Sequence, residues 1–317
     1  MKVLVITTGG TIGSAFNGAA IDVCDDGRCA AAERYAAEHQ GIQFDIKSPL
    51  NILSEQLTAD DLNRLAKAVW EAEITRYDGV IVTVGSDNLA YLSALIGLLF
   101  GDCGVPICSV ASDKVLSDEK ANGYANFCCA VGLIRRGKAG AFVPYRGTDG
   151  VMVVHAATDL RQADLSDDFV SFHGAYGVWK DGVLIEKRPY IRQTIPAVFD
   201  KAHLPQLEDN VLLIHPYPMQ AYARLNTDGV RAVLHTLYHS GTLDARGAAQ
   251  WAESLGGVPL YLASLRSGRK VYATTAEAIR RGAIPLYDIA PECAYMKLLL
   301  ACAQARLGLR DFMEGIG

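Results

Sequence analysis

The chain has 317 residues, half of them hydrophobic and 21% charged, with 30 Lys and Arg against 35 Asp and Glu for a net charge of −5. That length exceeds one typical domain and predicts two, with enough apolar material for a sizeable core. The mild acidity argues against a nucleic-acid partner, because Arg135 with Arg136 and Arg280 with Arg281 are isolated pairs rather than a basic stripe; a small or neutral partner is expected instead.

Met1 leads directly into an apolar, β-branched run at 3–6 that has the character of a central parallel strand, with no basic and long apolar segment of a secretory signal before it. Gly9 and Gly10 let the backbone turn sharply at the carboxyl end of that strand, where open α/β sheets place their ligands, and the turn presents the hydroxyl of Thr11. Thr11 is therefore a candidate nucleophile. A nucleotide loop is the alternative, but Gly-Gly-Thr-Ile-Gly lacks the Gly-x-Gly-x-x-Gly spacing and no P-loop lysine follows. A strand is expected at 43–46. Ser54 and Glu55 then stand free to face a ligand, just upstream of Thr58 to Asp61, whose capping-box form starts a helix over 59–73.

The third strand, 79–84, ends in Gly85-Ser86-Asp87-Asn88 before a helix at 89–99. A hydroxyl and a carboxylate are thus delivered to the same sheet edge as Thr11, unless Ser86 or Asp87 simply caps the helix. Strands at 106–110, 140–143 and 151–154 and a helix at 121–136 complete an order that reads as a doubly wound sheet. Pro189, Pro196 and Pro205 lie in an aperiodic stretch, 188–209, read as a linker. Beyond it come a strand at 210–215, a helix over 228–237, a strand at 258–264 and helices at 274–281 and 291–305. The expected fold is α/β: a doubly wound, mostly parallel sheet domain at 1–188 carrying the site, followed by a smaller α/β domain at 209–317.

No stretch approaches 18 uninterrupted apolar residues, so no membrane partner is expected and the chain is read as soluble and cytoplasmic. The eight cysteines (24, 29, 103, 108, 128, 129, 293 and 302) form no Cys-x-x-Cys pair and read as small buried apolar residues. His173, His203, His235 and His239 show no ligand spacing, so neither a metal nor a cofactor is expected.

Thr8-Gly9-Gly10-Thr11-Ile12-Gly13 and the degraded second motif Val84-Gly85-Ser86-Asp87-Asn88 resemble the two signatures of the bacterial-type L-asparaginase family, most closely its cytoplasmic type I branch. The segments from Val211 to Pro218, from Tyr272 to Ile284 and from Asp288 to Glu292 resemble the family's smaller domain. The resemblance implies that Thr11 attacks a side-chain amide to give an acyl-enzyme, then carboxylate and ammonia. It also implies that Ser54, Glu55 and Asp87 hold the α-carboxylate and α-amino groups of an amino-acid substrate, that Ser86 replaces a second threonine, and that backbone N–H groups near the second motif stabilise the oxyanion. Family members are usually dimers or dimers of dimers, so a homo-oligomer is expected; the apolar run at 298–305 suits burial against a partner.

Two activating groups of the family are missing. Its lysine belongs in the segment 147–159, where His155 lies at or beside the position, and its mobile tyrosine is replaced by Gly18-Ala19-Ala20-Ile21. An unactivated hydroxyl is a poor nucleophile at neutral pH. His155 is one candidate base, giving a rate that rises through about pH 6 to 7, and Lys114, after the strand at 106–110, is another. Packed histidine and exposed loop lysine are the plain alternatives. Two functions follow: an asparaginase-like amidohydrolase, or an impaired homologue that binds an amino acid or related metabolite. A third is an amidase on a peptide or aminoacyl-tRNA, against which the lack of an additional binding domain in these residues counts.

Overall fold

In the computed structural model, which describes residues 1–16, 21–23, 28–164, 166–197, 204, 206–254 and 256–315, the chain divides into two compact units, one spanning Met1–Thr194 and the other running from Pro205 to Gly317. The first unit contains, in order, β1 (Lys2–Thr7), β2 (Ser14–Phe16), β3 (Ile21–Val23), α1 (Ala30–Glu38), β4 (Gln43–Lys47), α2 (Ala59–Glu71), β5 (Gly79–Thr83), α3 (Leu89–Phe100), β6 (Pro106–Val110), α4 (Gly123–Arg135), β7 (Gly140–Arg146), β8 (Met152–Ala156), β9 (Leu160–Arg161), β10 (Val170–Ser171), β11 (Gly177–Lys180) and β12 (Val183–Glu186).

Eight of these strands form one sheet in the order β12-β11-β8-β7-β6-β5-β1-β4. From β7 to β4 the pairs are parallel, while β8, β11 and β12 extend the sheet antiparallel. Parallel strands covered on both faces need continuous apolar sequence, and Val3 to Ile6 and Val80 to Val82 are fully buried. The chain passes from β1 to β4 on one side and then to β5 on the other, so the strand order reverses between β1 and β5. In doubly wound sheets that reversal opens a crevice at the carboxyl ends of the two strands.

Helix α2 begins where its capping box predicts: the Thr58 side chain accepts the Asp61 N–H and the Asp61 carboxylate accepts the Thr58 N–H. Helix α3 is apolar almost all round and buried over nearly its whole length, the pattern of an interior helix.

The second unit holds β13 (Val211–Ile214), β14 (Ala232–Thr236), α5 (Ala245–Glu253), β15 (Leu260–Leu265), α6 (Ala273–Arg280), β16 (Ile284–Tyr287), α7 (Pro291–Ala303) and α8 (Leu309–Glu314), with a four-stranded parallel sheet in the order β13-β14-β15-β16. The helix expected over 228–237 is instead strand β14. Its Ala-Val-Leu-His-Thr run is wholly buried between β13 and β15, and a fully buried strand shows no alternation to separate it from a helix. The apolar stretch at 298–305 also needs correction as an exposed partner surface: Leu298 to Cys302 are buried within the unit itself, where α7 packs on β13, β14 and β15. No helix among the described residues is long and apolar enough to cross a membrane.

Candidate active site

Three loops meet at the reversal between β1 and β5. Leaving β1, Thr8 is tied to β5, its N–H and hydroxyl donating to Thr83 O at 3.2 and 2.9 Å. Ile52 lies alongside this turn: its N–H donates to Thr8 O at 3.2 Å, and Gly10 N–H donates to Ile52 O at 3.1 Å. Gly9 and Gly10 have φ of 92° and 72°, the left-handed region that favours glycine. A Cβ on Gly10 would sit 2.4 Å from Gly85 Cα, and one on Gly85 would sit 2.6 Å from Ser54 Cβ. The backbones of all three loops therefore touch, which explains glycine at 10 and 85 in steric terms.

On this frame Thr11 opens a short 3₁₀ turn, Thr11–Gly13, anchored by buried Ile12. Ser54 opens a second such turn, Ser54–Gln56, and Ser86 a third, Ser86–Asn88. Ser54 Oγ donates to Asp87 Oδ2 at 2.8 Å, and Asn88 Nδ2 donates to Ser54 O. The helix-cap alternative for Ser86 and Asp87 is not what the structure shows: Asn88 is the N-cap of α3, with no side-chain cap hydrogen bond, and the Asp87 carboxylate is turned to Ser54. Thr11 and Ser86 are half-buried with hydroxyls uncommitted among the described residues, while Asp87 and Glu55 are exposed. Asn88 is the residue that sequence reading passed over. Its signal was there, at the end of the second motif.

The two candidate activators lie elsewhere. His155 is on β8, which stands three strands from β5 and four from β1, or about 14 and 19 Å at some 4.8 Å per strand. It is 2% exposed, and its Nδ1 is paired with Ser171 Oγ at 2.8 Å. Burial, with the Arg188 charge adding to it, lowers its pKa from 6.5 to about 4. A rate rise through pH 6 to 7 is therefore not the expected signature of this histidine. Lys114 is exposed on the loop after β6, the strand next to β5, and its backbone O accepts the Ser112 hydroxyl.

Of the other histidines, His173 Nδ1 pairs with Asp159 Oδ1 at 2.6 Å and His235 Nε2 accepts the Tyr222 hydroxyl at 2.9 Å. His203 and Cys24 lie outside the described residues, as do Gly18, Ala19 and Ala20, where the family tyrosine is missing. Five of the seven described cysteines are buried. No group of three or more metal-ligating side chains occurs among the described residues.

Residues 2–182 match the family profile described as Asparaginase, N-terminal. An L-asparaginase of Thermococcus kodakarensis is 27% identical over 96% of this chain and 94% of its own length. A component of the Glutamyl-tRNA(Gln) amidotransferase of Pyrococcus horikoshii is 25% identical over 94% of this chain and 71% of its own. In three dimensions the chain is similar to the thermostable L-asparaginase from Thermococcus kodakarensis, with a TM-score of 0.75 at 20% identity, covering 100% of this chain and 97% of that one. It is equally similar, at 18% identity and TM-score 0.75, to a structure called a probable cytoplasmic L-asparaginase from Campylobacter jejuni, covering 99% and 98% of the two chains.

Proposed function

The chain belongs to the asparaginase family and is an L-asparaginase-like amidohydrolase, and on that premise we propose that it hydrolyses a small side-chain amide, asparagine or a related compound, through Thr11. The observation that carries this reading is the meeting of the Thr11, Ser54 and Ser86–Asp87 turns at the reversal of the sheet, with the Thr11 and Ser86 hydroxyls uncommitted among the described residues.

In this scheme Asp87, held by Ser54, takes the substrate α-ammonium, and Ser54 and Glu55 complete the cradle for the amino-acid head. Thr11 Oγ1 attacks the amide carbon. Its proton passes to the leaving nitrogen, ammonia departs, and water hydrolyses the ester to carboxylate and free Thr11. Ser86 stands beside the path of that proton, and the first N–H groups of the Ser86 turn, which have no partner inside the turn, are suited to the oxyanion. Lys114 faces a separate cavity and His155 is buried four strands from β1, so neither is assigned as the proton acceptor. An unactivated hydroxyl is a poor nucleophile at neutral pH, so turnover of free asparagine is expected to be weak.

Ammonia release measured across a panel of amides tests the proposal. The expected result is release from at least one small amide, lost in Thr11→Ala; equal release from Thr11→Ala would overturn the nucleophile assignment. A second reading, an impaired homologue that binds an amino acid, is favoured by one observation. The residue at or beside the family's lysine, His155, is buried and committed to Ser171. Saturable amino-acid binding without ammonia release from any amide would make that reading the correct one.

A further inference from the structure

A cavity of about 400 Å³ opens beyond the carboxyl ends of β6 and β7, one and two strands along the sheet from β5, and none of Thr11, Ser54, Ser86 and Asp87 lines it. Its volume falls within the range of small-ligand pockets. We propose that this pocket is a second ligand site, built for a free acidic amino acid.

The walls are fixed by hydrogen bonds. Asp113 N–H donates to Asn122 Oδ1 at 3.0 Å and Asn122 N–H returns to Asp113 Oδ1 at 2.8 Å, while Asn122 Nδ2 donates to Arg146 O at 2.9 Å. Three cations face the space: Lys114, Lys120 and Arg146. Neither lysine has an ion-pair partner among the described residues, and Arg146 Nη2 meets only the uncharged Ala121 O, at 3.2 Å. Two carboxylates, Asp113 and Asp167, line the same cavity.

Tyr145 supplies the independent sign of a ligand. It is 2% exposed, with the Asn122 amide beside it, yet its hydroxyl makes no well-formed hydrogen bond among the described residues: Asn122 is drawn to Asp113 N–H and Arg146 O instead. A buried hydroxyl left unpaired is costly, and a ligand oxygen in the pocket would satisfy it. Burial holds this phenol protonated, with a pKa pushed up to about 12, so it is a hydrogen-bond donor at neutral pH and is matched to a carboxylate. Three cations and a donor against two carboxylates complement a ligand with two carboxylates and one ammonium. Aspartate and glutamate have that pattern. Such an acid is also what hydrolysis of an asparagine-type amide releases, which would make the pocket a sensor of product.

Calorimetric titration of the full chain in an Asp87→Ala background, which weakens binding at the amide site, tests this with L-aspartate, L-glutamate, succinate and inorganic phosphate as probes. One amino-acid molecule should bind per chain, weakened about ten-fold by Tyr145→Phe and again by Lys120→Ala, an exposed position whose loss leaves the fold intact. Succinate, lacking the ammonium, should bind at least several-fold more weakly. No saturable amino-acid binding, binding unchanged in both variants, or succinate or phosphate binding as tightly as the amino acids would each overturn the proposal. None of these results depends on turnover at Thr11, so ammonia release from the parent protein reports on that reading separately.

Discussion

His155 lies at or beside the place where the family resemblance puts a lysine, and it is 2% exposed. Its pKa is lowered from 6.5 to about 4 by burial, so between those values the unfolded chain takes up a proton that the native chain refuses. Stability contributed here is present above about pH 6.5 and is lost as pH falls toward 4, by up to about 3 kcal/mol. His235, buried and lowered in the same direction, adds to that trend. Denaturant unfolding at pH 7 and pH 4.5 should show His155→Asn losing less stability on acidification than the parent; an identical loss would place the acid sensitivity elsewhere. At the amide site, Asp87→Ala should raise KM about ten- to hundred-fold with a smaller effect on kcat, since it removes a charged partner of the substrate head; steady-state kinetics separate the two. That the Thr11 and Ser86–Asp87 loops end neighbouring strands was legible in the chain, because short glycine-containing motifs carry them. The placement of His155 was not, because it depends on where an antiparallel strand falls across the sheet.

Among the elements, the three turns at the sheet edge depend on close backbone approach. Gly10→Ala would put a Cβ 2.4 Å from Gly85 Cα at a φ of 72°, so the loops must separate; a loss of about 2 kcal/mol or more is expected, with most of the activity. Gly104, at φ 89° with nothing within 4 Å of its would-be Cβ, is the control, for which Gly104→Ala should cost only about 1 kcal/mol of strain and leave turnover alone. Thermal melts of the two variants give the comparison, and equal losses would contradict the steric account. Strands β1 and β5 and helix α3 were legible because buried runs flanked by glycine and cap residues have few alternatives. Strand β14 was misread as a helix because five consecutive buried residues carry no period to tell the two apart. Helix α5, nine residues capped by Asp244 accepting the Gly247 N–H, and the β11–β12 hairpin escaped notice because short elements give weak patterns.

For the whole molecule, the burial of α7 within its own unit removes the sequence-based reason for expecting an oligomer, which now rests on the family resemblance. A light-scattering mass at twice or four times 34.1 kDa at micromolar concentration would support it, and a mass matching one chain would count against it. Attack by Thr11, as proposed, leaves an acyl ester on that residue during turnover. Acid-quenching the protein during turnover of L-asparagine or the preferred amide, followed by peptide mass mapping, tests it most directly. An acyl adduct on the peptide carrying Thr11, absent from Thr11→Ala, is the predicted result; an adduct on another peptide, or turnover undiminished in Thr11→Ala, would contradict it.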